Sequence, residues 1–147
     1  MGILVGGLLL ISALRRLFVV VTVVGDSMLP AYRCGDRVLV RRRGLRHIRS
    51  RDVVVVRMPL GVPNHQWVIK RAAAVPGDGV PATLRASLPS GEGAVVPAGR
   101  LLVLGDNSEW STDSRHVGYL HGFDVLGLVV RRLPAAPAPT TRDPHRA

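Results

Sequence analysis

The sequence predicts a mainly β fold, and three observations lead to this prediction. Valines cluster in β-branched runs of strand length, over residues 19–24 and 53–56. Glycine, aspartate and proline residues bound these runs and mark tight turns. The intervals between the runs leave no room for long helices. A chain of 147 residues, 47% of them hydrophobic and 4% aromatic, can bury one core made mostly of valine, leucine and alanine. We therefore expect one compact domain built from strands.

Six strands are expected in chain order, each ending at a turn. They cover residues 17–24, 37–40, 53–57, 67–74, 101–104 and 125–131. Gly-Asp pairs at 35–36 and 105–106 and the Pro-Gly-Asp at 76–78 supply turns. Residues 82–99 are interrupted by glycine, proline and serine, which predicts a loop or a short hairpin.

Both ends of the chain differ from this central part. Residues 3–14 carry no charge and are followed by Arg15 and Arg16. A transmembrane helix needs roughly 20 apolar residues, so this segment alone is too short, and extending it through the arginines would bury two charges in lipid. We expect residues 1–16 to form a short hydrophobic anchor or interfacial helix, with a plain packed helix as the alternative. Residues 17–133 are expected to form the folded domain, and the Pro/Ala-rich residues 134–147 a disordered tail.

The net charge of +10 raises the question of a nucleic-acid partner. The arginines between 41 and 51 are dense, but no helix-turn-helix, zinc-finger or aromatic stacking pattern accompanies them. We expect no nucleic-acid partner, and interpret these arginines as a solvated surface or a contact with anionic lipid. A single cysteine, Cys34, excludes an intramolecular disulfide, and no Cys/His spacing suits zinc. Neither a metal nor another cofactor is expected.

One lysine among twenty basic residues points to catalysis. All the others are arginine, and Lys70 ends the apolar run 67–69. Arginine stays protonated in proteins, whereas a desolvated lysine can lose its proton and act as a general base. Ser27 lies in a Gly-Asp-Ser-Met-Leu-Pro turn at 25–30. A serine paired with a neutral lysine is a known nucleophile and base, so these two residues are candidates for that chemistry.

A polar segment over residues 105–118 is the third informative feature. Turn capping by short polar side chains could alone explain Asp106, Asn107 and Ser114. A Ser-His-Asp triad is the rival mechanism, but no motif predicts that a histidine lies near Ser27. The candidates for such a triad are His47, His65, His116 and His121.

Three motifs in this order make the chain resemble the type I signal peptidase family. They are Gly-Asp-Ser-Met-x-Pro at 25–30, Ile-Lys-Arg-x-x-x-x-Pro-Gly-Asp at 69–78, and Gly-Asp-Asn-x-x-x-Ser-x-Asp-Ser-Arg-x-x-Gly at 105–118. The resemblance covers about residues 19–131. It implies a small catalytic β fold of the signal peptidase type, and the short interval from 78 to 105 implies that the accessory β domain of larger members is absent.

The resemblance also implies roles for individual residues. Ser27 would be the nucleophile and Lys70 the general base; Ser111 would orient the lysine amine, and Asp113 would form a supporting salt bridge with Arg115. The backbone N–H of Ser27 is expected to stabilise the oxyanion. Some members carry a serine two positions before the nucleophile, where this chain has Gly25, so the second donor is not predicted. Residues expected to contact the substrate are Asp26, Met28, Gln66 and Val68.

By this resemblance the substrate is an exported precursor, bound as an extended strand and cut after a small residue in an Ala-x-Ala-like site. We expect a serine endopeptidase associated with the cell membrane. The basic residues that follow the apolar segment favour an inside location for the domain. The alternative is therefore a cytoplasmic maturation protease for one dedicated precursor, resembling the nickel-superoxide-dismutase processing type. A basic, non-catalytic binding module is a third reading.

Overall fold

A computed structural model of the chain describes residues 15–59, 67–88 and 93–134. It contains a seven-stranded antiparallel sheet in the order β1-β2-β7-β3-β4-β5-β6. The strands are β1 Phe18–Thr22, β2 Arg37–Arg42, β3 Val53–Arg57, β4 Trp67–Ala74, β5 Arg100–Leu104, β6 Leu120–His121 and β7 Val125–Leu133.

Helices are short in the part of the chain that the structure describes. The α-helices are α1, Ala82–Arg85, and α2, Ser114–Val117, and three single 3₁₀ turns cover Leu45–His47, Ser108–Trp110 and Gly122–Asp124. Residues 15–17 have helical backbone directly before β1. Within these described ranges no helix has the length and apolarity needed to cross a membrane. The predicted mainly β fold is thus confirmed.

The predicted strand boundaries are correct for β3 and β4 and differ elsewhere. The predicted strand 17–24 ends early, at Thr22. The next residue, Val23, bonds instead to the last residues of the following loop: Val23 N–H donates to Asp36 O, and Gly35 N–H donates to Val23 O, both at 2.8 Å. The two-residue β6 was not predicted because it is too short to show a pattern. Part of 82–99, expected to be a loop or hairpin, forms α1. Predictions for residues 1–14, for Gln66 and for the tail beyond 134 lie outside the described residues.

Apolar residues pack on both faces of the central strands. Within β3 the side chains of Val54 and Val56 join one cluster, and that of Val55 joins another on the opposite face. All three side chains are fully buried. Because β3 lies between β7 and β4 with both faces covered, its sequence is a continuous valine run and not an alternating one. A third cluster, around Leu84 and Leu102, packs α1 against β5.

Gly127 lies where the backbone of β2 leaves no space for a side chain. It pairs with Arg42 of β2 and with Val55 of β3, and the register of the β3 pairing shifts directly after Val55. A Cβ atom at this position would lie 2.1 Å from the carbonyl oxygen of Arg41. The space that a side chain needs is therefore filled by the neighbouring backbone.

We predict that Gly127→Ala destabilises the fold, because the added methyl must displace the backbone of β2. Overpacking of this kind costs about 1–3 kcal/mol. Gly44→Ala is the matched control, since a Cβ at Gly44 meets nothing within 4 Å and its φ is −73°. Thermal unfolding followed by circular dichroism measures both variants. Equal melting temperatures for the two would contradict the prediction.

Candidate active site

A loop between β1 and β2 carries Ser27. Hydrogen bonds between Val23, Gly35 and Asp36 close its base, and Tyr32 N–H donates to Met28 O inside it at 2.8 Å. Gly25 turns the chain with φ of +81°, a conformation that other residues adopt only with strain. Ser27 is half-buried. The loop therefore fixes the backbone before and after the serine.

The polar segment 105–118 fastens to this loop at the serine itself. Asn107 N–H donates to the carbonyl oxygen of Ser27 at 2.9 Å. Gly105 makes this approach possible, because a Cβ there would lie 2.2 Å from Ser111 Oγ and 2.6 Å from Ser27 O. Glycine at this position is thus a steric requirement of the site as well as a turn residue.

Lys70 lies on β4 with only 3% of its surface exposed. Its Nζ donates to Ser111 Oγ at 3.0 Å. Burial is the largest influence on this amine and lowers the pKa of Lys70 from its ordinary value. The negative charge of Asp113 opposes that change, and the positive charge of Arg115 reinforces it. The surroundings therefore favour the neutral amine relative to a lysine in water.

Asp113 is the fully buried carboxylate behind this pair. Its oxygens accept hydrogen bonds from Ser111 Oγ at 2.7 Å, from Gly105 N–H at 2.9 Å and from the Arg115 guanidinium at 2.6 and 2.9 Å. Burial alone would raise the pKa of Asp113, but these bonds, with that of the Arg115 N–H, outweigh it and lower the pKa to about 2. Ser111 donates its hydroxyl hydrogen bond to Asp113 and so presents a lone pair to Lys70.

A cleft of about 270 Å³ opens over Ser27 and Lys70. Residues 21–27 form one wall, residues 67–70 form the other, and Trp110 and Thr112 of the polar segment complete the lining. Most of the lining side chains are apolar. The exposed fractions of Trp67 and Trp110 are 42% and 72%, so the cleft has an aromatic rim.

Of the residues selected from the sequence, Ser27 and Lys70 line one cleft, and hydrogen bonds connect Lys70 through Ser111 and Asp113 to Arg115. The hydrogen bonds of the described residues do not include one between the Ser27 and Lys70 side chains. Among the described histidines none lines the cleft, and His65 lies outside the described residues.

Only some of the residues expected to contact substrate lie in the cleft. Asp26 and Val68 line the cleft. Met28 is fully buried in a core cluster with Val23 and Val38, so it supports the serine loop from beneath and presents no surface to a substrate. Gln66 lies outside the described residues. Trp67 and Trp110 also line the cleft, and no sequence motif pointed to them.

Arg71 and Asp106 form an ion pair that the sequence did not specify. Two guanidinium nitrogens of Arg71 donate to the Asp106 carboxylate at 2.6 and 2.8 Å, and a third donates to the carbonyl of Arg51 at 3.0 Å. Asp106 was expected to serve only as a turn residue. The pair instead ties β4, beside Lys70, to the polar segment beside Asn107. The only sequence signal was that the two residues lie in two of the three motifs and carry opposite charges.

Comparisons with known proteins identify a family for the chain. The family model described as signal peptidase, peptidase S26 matches residues 1–85 and 81–133. A solved structure of signal peptidase I from Enterococcus faecalis V583 is similar at 22% sequence identity and a TM-score of 0.41, over 56% of this chain and 97% of that chain. The search of curated proteins gave no match.

We predict that Asp113→Asn destabilises the protein in a pH-dependent way. The pKa of Asp113 lies below its ordinary value of 3.8, so the ionised carboxylate stabilises the fold above pH 4, and this contribution disappears as pH falls towards 2. The size of the contribution is about 2 kcal/mol. Urea unfolding of wild type and variant between pH 3 and 7 should show a gap that narrows at low pH. A gap of equal size throughout would refute this assignment.

Proposed function

Because the chain belongs to the peptidase S26 family of signal peptidases, we propose that it removes leader peptides from precursor proteins with a Ser27/Lys70 dyad. Family membership makes the chain a serine protease and hydrolase. The observation that carries the dyad proposal is the buried Lys70 amine, which is hydrogen-bonded to Ser111 in the cleft that Ser27 lines.

Acylation begins when Ser27 Oγ attacks the carbonyl carbon of the scissile bond. The neutral Lys70 amine accepts the serine proton and becomes an ammonium. A neutral amine has two N–H bonds and one lone pair. The N–H donated to Ser111 restricts rotation of the amine, which leaves the lone pair available to the cleft. Asp113 keeps Ser111 an acceptor by taking its proton in a hydrogen bond.

The tetrahedral intermediate carries a negative oxygen that needs donors. The backbone N–H of Ser27 has no hydrogen-bond partner among the described residues, so it is available to an oxyanion. Collapse of the intermediate expels the amine of the downstream chain, which takes its proton from the Lys70 ammonium. Lys70 then activates a water molecule that hydrolyses the acyl-enzyme, and Ser27 recovers its proton.

The cleft suits a substrate in extended conformation. β5 pairs with β4 only from Arg71 onward, so in the described part of the chain no strand covers the outer edge of residues 67–70. β1, whose end forms the opposite wall, pairs with β2 alone. A precursor strand can therefore bond to the backbone along these edges, and this mode of binding tolerates varied sequences. Val21, Val68 and Ile69 favour small apolar side chains next to the scissile bond.

Membrane association is part of this proposal. Its support is the uncharged segment 3–14, which precedes the first strand and suits an anchor or an interfacial helix. A second candidate function is intracellular maturation of one dedicated precursor. Arg15 and Arg16 favour it, because basic residues beside an apolar segment tend to remain on the inner side of a membrane.

We predict that wild type cleaves an Ala-x-Ala leader peptide in detergent and that Ser27→Ala does not, since no other nucleophile replaces Ser27. Lys70→Arg replaces the amine by a permanently protonated guanidinium that cannot act as a base, so its rate should fall about 10²–10⁴-fold. Ser87→Ala, which changes a serine outside the cleft, is the matched control and should cleave normally. Mass spectrometry identifies the products. Normal cleavage by Lys70→Arg would eliminate the general-base role, and cleavage of a dedicated precursor alone would favour the second function.

We predict an alkaline-rising pH profile governed by Lys70. Activity is lost as pH falls through the pKa of Lys70, because the ammonium cannot accept the serine proton; burial places that pKa below the ordinary 10.5. Arg115→Met removes a positive charge that lowers this pKa and leaves Asp113 unpaired. The acid limb of kcat/KM should therefore move to higher pH, while Arg115→Lys, which retains the charge, should move it less. An unchanged limb in Arg115→Met would contradict this electrostatic coupling.

A further inference from the structure

Arg132, near the end of β7, contacts the loop that carries the serine nucleophile. Its guanidinium donates to the carbonyl oxygen of Ala31 and lies 3.3 Å from a carboxylate oxygen of Asp36. It also lies over the ring of Tyr32, 4.8 Å from the ring centroid. These partners all belong to the second half of the loop, residues 31–36. Arg132 therefore attaches this half of the loop to the sheet.

The register of the strands explains why an arginine of β7 reaches the loop. Arg132 pairs with Val38 of β2, and Val38 pairs with Val21 of β1, so the three side chains share one face of the sheet. Val38 is fully buried, and Val21 packs against the same core cluster. Arg132 thus points to the core face, at the end of the sheet where the loop leaves β1 and enters β2. Its side chain remains half exposed, at 49%.

Different parts of the molecule hold the two halves of the loop. Asn107 of the polar segment bonds the first half at the carbonyl oxygen of Ser27. Arg132 bonds the second half. A hydrogen bond from Tyr32 N–H to Met28 O, at 2.8 Å, joins the second half to the residue directly after the serine. The position of Ser27 therefore depends on both attachments.

We propose that Arg132 is a positioning residue for the nucleophile: it fixes the second half of the loop so that the hydroxyl of Ser27 stays within reach of the Lys70 amine. Among the described residues no hydrogen bond joins these two side chains, so their approach depends on how the loop and β4 are held. A displacement of about 1 Å can lower a rate on the order of 10²-fold. Arg132 does not line the cleft and acts through the loop. This inference rests on the proposed Ser27/Lys70 chemistry.

The shape of the guanidinium suits this role. A half-exposed ion pair is screened by solvent and is weak alone. The planar group, however, can pair with a carboxylate, donate to a carbonyl and lie over an aromatic ring at the same time. The carboxylate of Asp36 also accepts from the N–H of Arg33 at 2.9 Å, so the ion pair reaches the turn that closes the loop. Lysine at position 132 could keep the charge but not all of these contacts.

Steady-state cleavage of a leader peptide in detergent tests the positioning role. Arg132→Gln should lower kcat about tenfold and change KM less than about twofold, because the strand edges that bind substrate are unchanged. Arg132→Lys should recover part of kcat. Arg57→Gln is the matched control, since Arg57 is half exposed at 50%, pairs with Asp124 and lies outside the cleft lining. It should keep the wild-type kcat. The pH profile should keep its midpoint in every variant, because the surroundings of Lys70 do not change.

A nitroxide label on Cys34 tests the attachment of the loop without any cleavage. Cys34 is the single cysteine of the chain, is exposed and lies in the second half of the loop. Electron paramagnetic resonance should show restricted label motion in wild type and a larger mobile component in Arg132→Gln. Arg57→Gln should give the wild-type spectrum. Thermal unfolding followed by circular dichroism checks that each labelled variant is folded.

The outcomes separate the attachment, the positioning role and the proposed function. A wild-type spectrum in folded Arg132→Gln would overturn the attachment, and a mobile loop with unchanged kcat would overturn the positioning role. Equal losses of kcat in Arg132→Gln and Arg57→Gln would also overturn it, since both would then reflect general stability. If Arg132→Gln does not fold, Arg132→Lys replaces it, and an unchanged kcat and spectrum would count against the inference. If wild type cleaves no peptide but the label becomes mobile in Arg132→Gln, the proposed function fails while the attachment stands.

Discussion

The buried carboxylate of Asp113 is the constraint on which the rest of the site depends. A charge removed from water must find hydrogen-bond donors, and its donors come from the end of β5, from the polar segment and from the start of α2. These bonds hold the chain between β5 and α2 close to the Asp113 carboxylate. Ser111 is held there as both a donor to Asp113 and an acceptor from Lys70. Gly105 must lack a side chain so that Ser111 and the Ser27 loop can both reach this point.

Arg115 resolves an electrostatic conflict in this arrangement. Burial lowers the pKa of Lys70, but a lone carboxylate nearby would raise it again and keep the amine charged. The guanidinium of Arg115 bonds both oxygens of Asp113 and offsets its charge. The acid can then orient the hydroxyl of Ser111 without fully opposing the effect of burial on the lysine. Orientation and charge are thereby controlled by separate groups.

The elements that were predicted correctly are those that a local residue pattern determines. β3 has its predicted limits because a continuous valine run specifies a strand covered on both faces, and β4 ends where predicted, shortly before the Pro-Gly-Asp turn at 76–78. Lys70 could be selected because arginine cannot replace a base. Contacts between segments far apart in the sequence could not be predicted from local patterns. The burial of Met28 depends on how the serine loop folds onto the core, and the Arg71–Asp106 pair joins residues 35 positions apart. The steric need for Gly105 likewise exists only once three segments meet.

The two sides of β1 have different surroundings. Its inward valines, with Met28, anchor the base of the Ser27 loop in the core, while Val20 on the other side is 44% exposed. Since side chains alternate along a strand, insertion of one residue into β1 would exchange these two sets at once. The register of β1 therefore determines both the packing beneath the Ser27 loop and the side chains that this strand exposes on its other side.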